Sequence, residues 1–164
     1  MKLIAEIYEP TFKYEEELLY RLRKAARSIV TRGNKIALIH VKNKGFYKLP
    51  GGGIDEGENI MEALERELIE ELGCKVKVIE EIGMTIEFRG SMKLLQISYA
   101  FVGEFIKDLG TVSYTEKEIT EGCEFLWINV NKALELIEKS KPIDQSGWFI
   151  VERDLKILKS YMKL

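Results

Sequence analysis

Cysteine, histidine and proline are scarce here: among 164 residues there are two Cys, one His and three Pro. Two cysteines, Cys74 and Cys123, make no disulfide framework in a chain of this length, and no C-x-x-C pair offers a thiolate metal site. They read as buried free thiols in a reducing compartment. A lone histidine, His40, excludes any mechanism that needs a histidine pair, and its place inside an apolar strand reads as structural. No segment reaches the roughly 18 consecutive apolar residues that a membrane-crossing helix requires. Residues 1–10 lack a basic start followed by an apolar run, so no secretory signal is expected and the cytoplasm is the expected compartment. An excess of one charge is also missing. With 25 basic and 27 acidic side chains the formal net charge is -2, which gives no global pull toward duplex nucleic acid or an anionic membrane.

What is present is an ordinary globular composition, 46% apolar and 32% charged, of a size that suits one domain over residues 1–164. Alternation of apolar and polar residues predicts a short strand over 3–7. The β-rich segments 25–30 and 35–41 flank Gly33-Asn34, a hairpin turn. Segments 76–88 and 94–105 read as a strand pair, and 124–128 as a further strand. Helices are expected over 59–72, 131–140 and 146–162. Strands interleaved with helices predict a layered α/β domain.

The helix over 59–72 carries more acid than packing requires. Ile60, Leu64, Leu68 and Leu72 repeat at i, i+4 and form its apolar stripe. At about 100° per residue, Glu67 and Glu71 lie about 40° apart and Glu70 about 60° beyond Glu67. Three carboxylates therefore share one flank, where they repel one another by a few tenths of a kcal/mol per pair. A hard divalent cation with oxygen ligands would turn that repulsion into coordination, although Glu-rich surface helices are also common without one. Arg66 stands at i, i+4 from Glu70 and can pair with it. Before the helix, the run Leu49-Pro50-Gly51-Gly52-Gly53 brings bare backbone close to whatever it faces. No Gly-Lys-Ser/Thr follows, so it is not a nucleotide-binding P-loop.

The spacing Gly52, five residues, Glu58, seven residues, then Arg66-Glu67-Leu68-Ile69-Glu70-Glu71-Leu72-Gly73-Cys74 resembles the Nudix box, G-x5-E-x7-R-E-U-x-E-E-x-G-U, where U is bulky and aliphatic. Every fixed position matches over residues 52–74, with Cys74 a small apolar substitute at the last U. The resemblance implies a Nudix α/β/α sandwich with a mixed β-sheet between helices. It also implies hydrolysis of a phosphoanhydride bond in a nucleoside diphosphate linked to another moiety. Glu67 and Glu71 would bind Mg²⁺ or Mn²⁺, with Glu70 a further ligand or assisting base and the Gly51 carbonyl a possible contributor. Arg66 would position these acids, and Glu58 would be a structural partner. Many family members draw one more glutamate from a loop before a late strand. Glu121 is the candidate, in competition with Glu116, Glu118 and Glu124.

For the remaining residues two readings stand side by side. Arg21, Arg23, Lys24 and Arg27 form either a solvated edge before the first core strand or a phosphate clamp. Lys48, beside the glycine run, is better placed for a substrate phosphate. Tyr8, Phe12, Tyr14, Phe46 and Tyr47 are either core and rim or a surface on which a base could stack. Subfamily markers are thin. The downstream proline of many ADP-ribose enzymes and the S-Q-P-W-P-x-S array of NADH enzymes are both absent. The chain then resembles the MutT-like nucleoside triphosphate pyrophosphohydrolases. An ADP-ribose or nucleoside diphosphate sugar pyrophosphatase is the alternative, and a non-catalytic nucleotide-sensing module a more distant one. The expected partner is a nucleotide small molecule. Homodimers are common in the family, but no interface is legible here.

Overall fold

A divergence between two strands shapes this molecule. In the computed structural model, which describes residues 1–10 and 19–163, β2 (Arg21–Arg32) and β3 (Lys35–Val41) leave their hairpin paired at only two positions, Thr31 with Ile36 and Arg32 with Lys35. Gly33 takes the left-handed turn at φ 62°, which glycine adopts without a Cβ clash. β7 (Cys123–Asn129) pairs with the whole of β3 along one edge. The other edge is left to β2 at one end and to the short β4 (Phe46–Lys48) at the other. Beyond β4 the chain crosses to β2, whose Ser28 and Ala26 amides donate to the Pro50 and Gly52 carbonyls. The glycine run therefore fills the wedge between the two diverging strands.

The rest of the sheet extends from β2. β6 (Leu94–Asp108) lies parallel to β2, β5 (Cys74–Arg89) antiparallel to β6, and β1 (Leu3–Tyr8) parallel to β5 at the far edge. The sheet is thus mixed, and helices cover both faces. On one face α1 (Ile60–Leu72) buries Leu64, Leu68 and Leu72 against Ala26, Val30 and Phe101. Each such leucine contributes about 1.5–3 kcal/mol by leaving water. On the other, α3 (Val130–Glu138) and α4 (Gln145–Tyr161) bury Ile137, Ile157 and Leu158 against Ile29, Leu38 and Ile82. The architecture is the expected α/β/α sandwich.

α1 begins and ends on signals written in its sequence. The Asn59 side chain accepts from the Met61 and Glu62 amides while Glu62 caps back to Asn59 N–H, and Gly73 closes the helix at φ 60°. Such a capping box satisfies amides that a helix start otherwise leaves unpaired.

Several expectations meet a different outcome. The basic run 21–27 is not an edge before the core. It is the first half of the central strand β2, where Arg27 is only 6% exposed, Arg23 is half-buried, and Arg21 and Lys24 face solvent. Both cysteines are free, with Cys74 buried but Cys123 only half-buried. Phe46 is core, Tyr8 stacks on Phe88, and His40 stacks on Tyr47 at 4.2 Å with Nδ1 3.7 Å from Glu124. Phe12 and Tyr14 lie outside the described residues.

Candidate active site

The acidic edge of α1 faces the wedge, and cations sit among its carboxylates. Arg66 is the hub. Its Nε and Nη2 donate to the two Glu58 oxygens at 2.7 and 2.9 Å, and Nη2 also donates to the Gly53 carbonyl at 3.0 Å. Its Nη1 reaches Glu67 at 3.0 Å and Glu70 at 3.2 Å. The mutual repulsion expected of these acids is therefore offset by one guanidinium, whose fork geometry suits several oxygens at once. The Arg66 bonds and the Asp55 N–H hold the Glu58 carboxyl at about 2, and Arg66 in turn is pushed upward.

Glu71 differs from its neighbours because it is buried, at 2% exposure. One oxygen accepts from Lys48 Nζ at 2.7 Å and the other from the Gly51 N–H at 2.5 Å. Burial pushes the Glu71 carboxyl upward, against the pull of Lys48 and Gly51. An acid in the interior is costly unless a cation and hydrogen bonds compensate it. Here the Lys48 ammonium provides that compensation from the strand that leads into the wedge.

The glycine loop is fitted to these acids. Gly51 sits at φ 119°, and a Cβ there would overlap the Ala26 carbonyl. A Cβ on Gly52 would overlap the Glu67 carboxylate. Asp154, from α4 in the opposite layer, accepts the Leu49 N–H at 2.8 Å. One loop is thus held by a buried carboxylate from each helical layer. Composition did not single out Asp154, since one acid in an amphipathic helix carries no signal by itself.

The late loop forms a short helix, α2 (Glu116–Thr120), capped by Thr115. Glu118 completes that cap with one carboxylate oxygen and directs the other toward Lys48 Nζ at 3.9 Å. Glu121 ends α2 with its carboxylate 4.0 Å from Lys117, and Glu124 lies on β7 paired with Lys42 at 2.6 Å. Of these acids, Glu118 is the one drawn toward the Lys48–Glu71 pair.

These donors fit a divalent ion. Glu67, Glu70 and Glu71 offer hard oxygen atoms along one edge, and bare glycine backbone leaves space against Glu67. Lys48 already supplies a positive charge to Glu71, as an ion would. Among the described residues no three acidic, Cys or His side chains converge on one point; Lys48 bonds Glu71, and Arg66 bonds Glu67 and Glu70. A cation at Glu71 would take the place of Lys48.

Comparisons with known proteins follow the same outline. A family model described as the NUDIX domain matches residues 21–146. Part of the chain is similar to the ADP-ribose pyrophosphatase of Methanocaldococcus jannaschii, 43% identical over 63 residues that make up 37% of each chain. It is likewise similar to the RNA pyrophosphohydrolase of Helicobacter pylori (strain G27), 37% identical over 62 residues, 37% of this chain and 40% of that one. The matched stretch thus spans well under half the length of these curated relatives. In three dimensions the chain is similar to a NUDIX hydrolase from Nitrosomonas europaea. That likeness has a TM-score of 0.67 and 14% identity, covering 87% of this chain and 90% of the other, and it bears on the fold.

Proposed function

The chain belongs to the NUDIX family, and from that premise we propose that it is a metal-dependent hydrolase that cleaves a phosphoanhydride bond in a nucleotide-linked substrate. The observation that carries this reading is the buried Glu71 carboxylate, held between Lys48 and the Gly51 amide at the head of an acidic helix edge. Glu67, Glu71 and Glu70 would hold the metal, Mg²⁺ or Mn²⁺, with the Gly51 carbonyl beside them. Bound there, the ion would neutralise phosphate oxygens and make water a better nucleophile.

The chain's own residues do the rest. Arg66 keeps Glu67 and Glu70 facing the wedge. Glu118 takes the proton of the attacking water as the new P–O bond forms and the bridging P–O bond breaks. Lys48, once released from Glu71, meets the charge on the departing phosphate. Positioning and charge suffice, because phosphoryl transfer asks little covalent chemistry of the protein. The substrate is a nucleoside triphosphate. Support comes from the cations that back the glycine loop, Lys48 and Arg27, and from the RNA pyrophosphohydrolase relative, whose name also denotes pyrophosphate chemistry. The 43% identity with an ADP-ribose pyrophosphatase favours a second reading, a nucleoside diphosphate sugar.

Replacing Glu71 tests the core of the proposal. Glu71→Gln keeps the size and the acceptor for Lys48 but removes the charge. The variant melts at a lower temperature, because Lys48 loses its buried counter-charge, and in the folded protein turnover falls on the order of a hundredfold or more on every substrate. Near-normal turnover by the folded variant would remove Glu71 from the metal seat.

A further inference from the structure

On the face of the sheet opposite α1, under α4, a layer of buried charge adjoins the site. Strand alternation sends Arg23, Ala25 and Arg27 of β2 to this face, in register with Gln96, Ser98 and Ala100 of β6. α4 adds Arg153, at 1% exposure, and Asp154, at 0%. Most of the layer is closed among its own members. Gln96 accepts from Arg23 at 2.6 Å and donates to Glu87 at 2.9 Å, and Arg89 donates to the same glutamate. Asp154 accepts from Arg153 Nε at 2.7 Å with one oxygen and from the Leu49 amide with the other.

Two guanidiniums remain incompletely served. Arg153 Nη2 and Arg27 Nε are buried and have no hydrogen-bond partner among the described residues. Among the described residues the Arg27 side chain makes a single long bond, from Nη1 to the adjacent Ala26 carbonyl at 3.2 Å. Buried N–H groups of charged side chains are seldom left unpaired, and an anion is the partner they fit best. Burial and then the neighbouring Arg153 push Arg27 down to about 9.

We propose that Arg27 and Arg153 form a subsite for the terminal phosphate of a 5′-triphosphate. The subsite rests on the hydrolase reading above and names the substrate class within it. Its place follows from the loop. Gly51, whose amide Glu71 holds, packs so closely on Arg27 that a Cβ there would stand 3.0 Å from the Arg27 Cα. A phosphate chain that ran from the acids past this loop would meet Arg27. The far end is walled by Arg153, Glu87, Arg89 and Thr85, each at 5% exposure or less. A phosphoryl group can be reached there by the weakly held Arg27 guanidinium, whereas a second ribose finds a closed wall. Arginine suits this task because its fork meets two phosphate oxygens together.

The test compares kcat/KM for GTP, a 5′-triphosphorylated dinucleotide and ADP-ribose in the wild type, Arg27→Gln, Arg27→Lys and Arg153→Lys. Calorimetric binding of inorganic tripolyphosphate in EDTA is measured alongside. Wild type prefers the triphosphates. Arg27→Gln lowers the triphosphate-to-ADP-ribose ratio by about tenfold or more, the worth of one charge-assisted hydrogen bond. It weakens tripolyphosphate binding by a similar factor, and Arg27→Lys recovers part of both losses. Comparison of GTP with the dinucleotide tells a free nucleotide from an RNA end. A wild-type preference for ADP-ribose, an equal loss on all substrates, or tripolyphosphate affinity indifferent to Arg27 overturns the subsite. If no substrate is turned over, the hydrolase reading fails, while the tripolyphosphate measurement still decides the subsite.

Discussion

At the scale of single residues, the acids of the site divide by how they could be found. Glu67, Glu70 and Glu71 were legible because the period of one helix fixes their relative directions, whatever the rest of the chain does. The burial of Glu71 was not, since it depends on Lys48 and Gly51 arriving from another element. The loop acid was harder still. Glu116, Glu118, Glu121 and Glu124 are close together in sequence, and only the course of α2 separates them in space. Glu118 points toward Lys48, whereas Glu121 points toward Lys117. The two can be told apart without disturbing α2, because glutamine replaces glutamate in a capping box. Glu118→Gln should therefore keep the Thr115 cap yet slow kcat by about a hundredfold, the usual worth of a positioned base. Glu121→Gln should leave kcat within about twofold, since a surface charge paired at 4.0 Å contributes little. Steady-state kinetics on both variants checks the assignment, and the reverse ranking would return the role to Glu121.

At the scale of elements, α1 declared itself through its apolar repeat, Asn59 cap and Gly73 stop, while β4 did not. Three residues carry no period, and β4 exists because β3 offers an unpaired edge where β2 has turned away. The loop that follows shows what each glycine is for. At Gly51 a side chain meets φ 119° and the rigid Ala26 carbonyl together. Gly51→Ala should cost about 2 kcal/mol or more of stability, read as a lower urea midpoint with unchanged slope. At Gly52 the obstacle is only the end of the Glu67 side chain, which can swing aside. Gly52→Ala should therefore fold with nearly the parental midpoint but need more metal for half-maximal activity, because Glu67 is displaced. If both variants lose stability equally, the loop is simply tight and is not fitted to an acid.

At the scale of the whole molecule, the layered class was legible from strands interleaved with helices, but the strand order was not. β1 joins β5, and β2 joins β6, across about half of the chain length, and such long-range pairing leaves no local trace. The same blindness hid the buried arginines, since a basic run reads as surface until its strand is known to be central. The consequence is a site that ties the two helical layers together, with Glu71 from α1 and Asp154 from α4 holding one loop in the wedge of the sheet. A cation that Glu67, Glu70 and Glu71 gathered would be a ligand only of the folded chain, and it would stabilise the entire domain. At a hundred times its dissociation constant the gain is about 2.7 kcal/mol. For a domain of this size each kcal/mol raises Tm by about 2–4 °C. Magnesium or manganese should thus raise Tm by about 5–10 °C in a saturable way. EDTA should reverse the rise, and Glu71→Gln should lack most of it. A melting temperature unmoved by millimolar magnesium and manganese would mean that Lys48 does not yield its place to an ion, and that these acids serve only the fold.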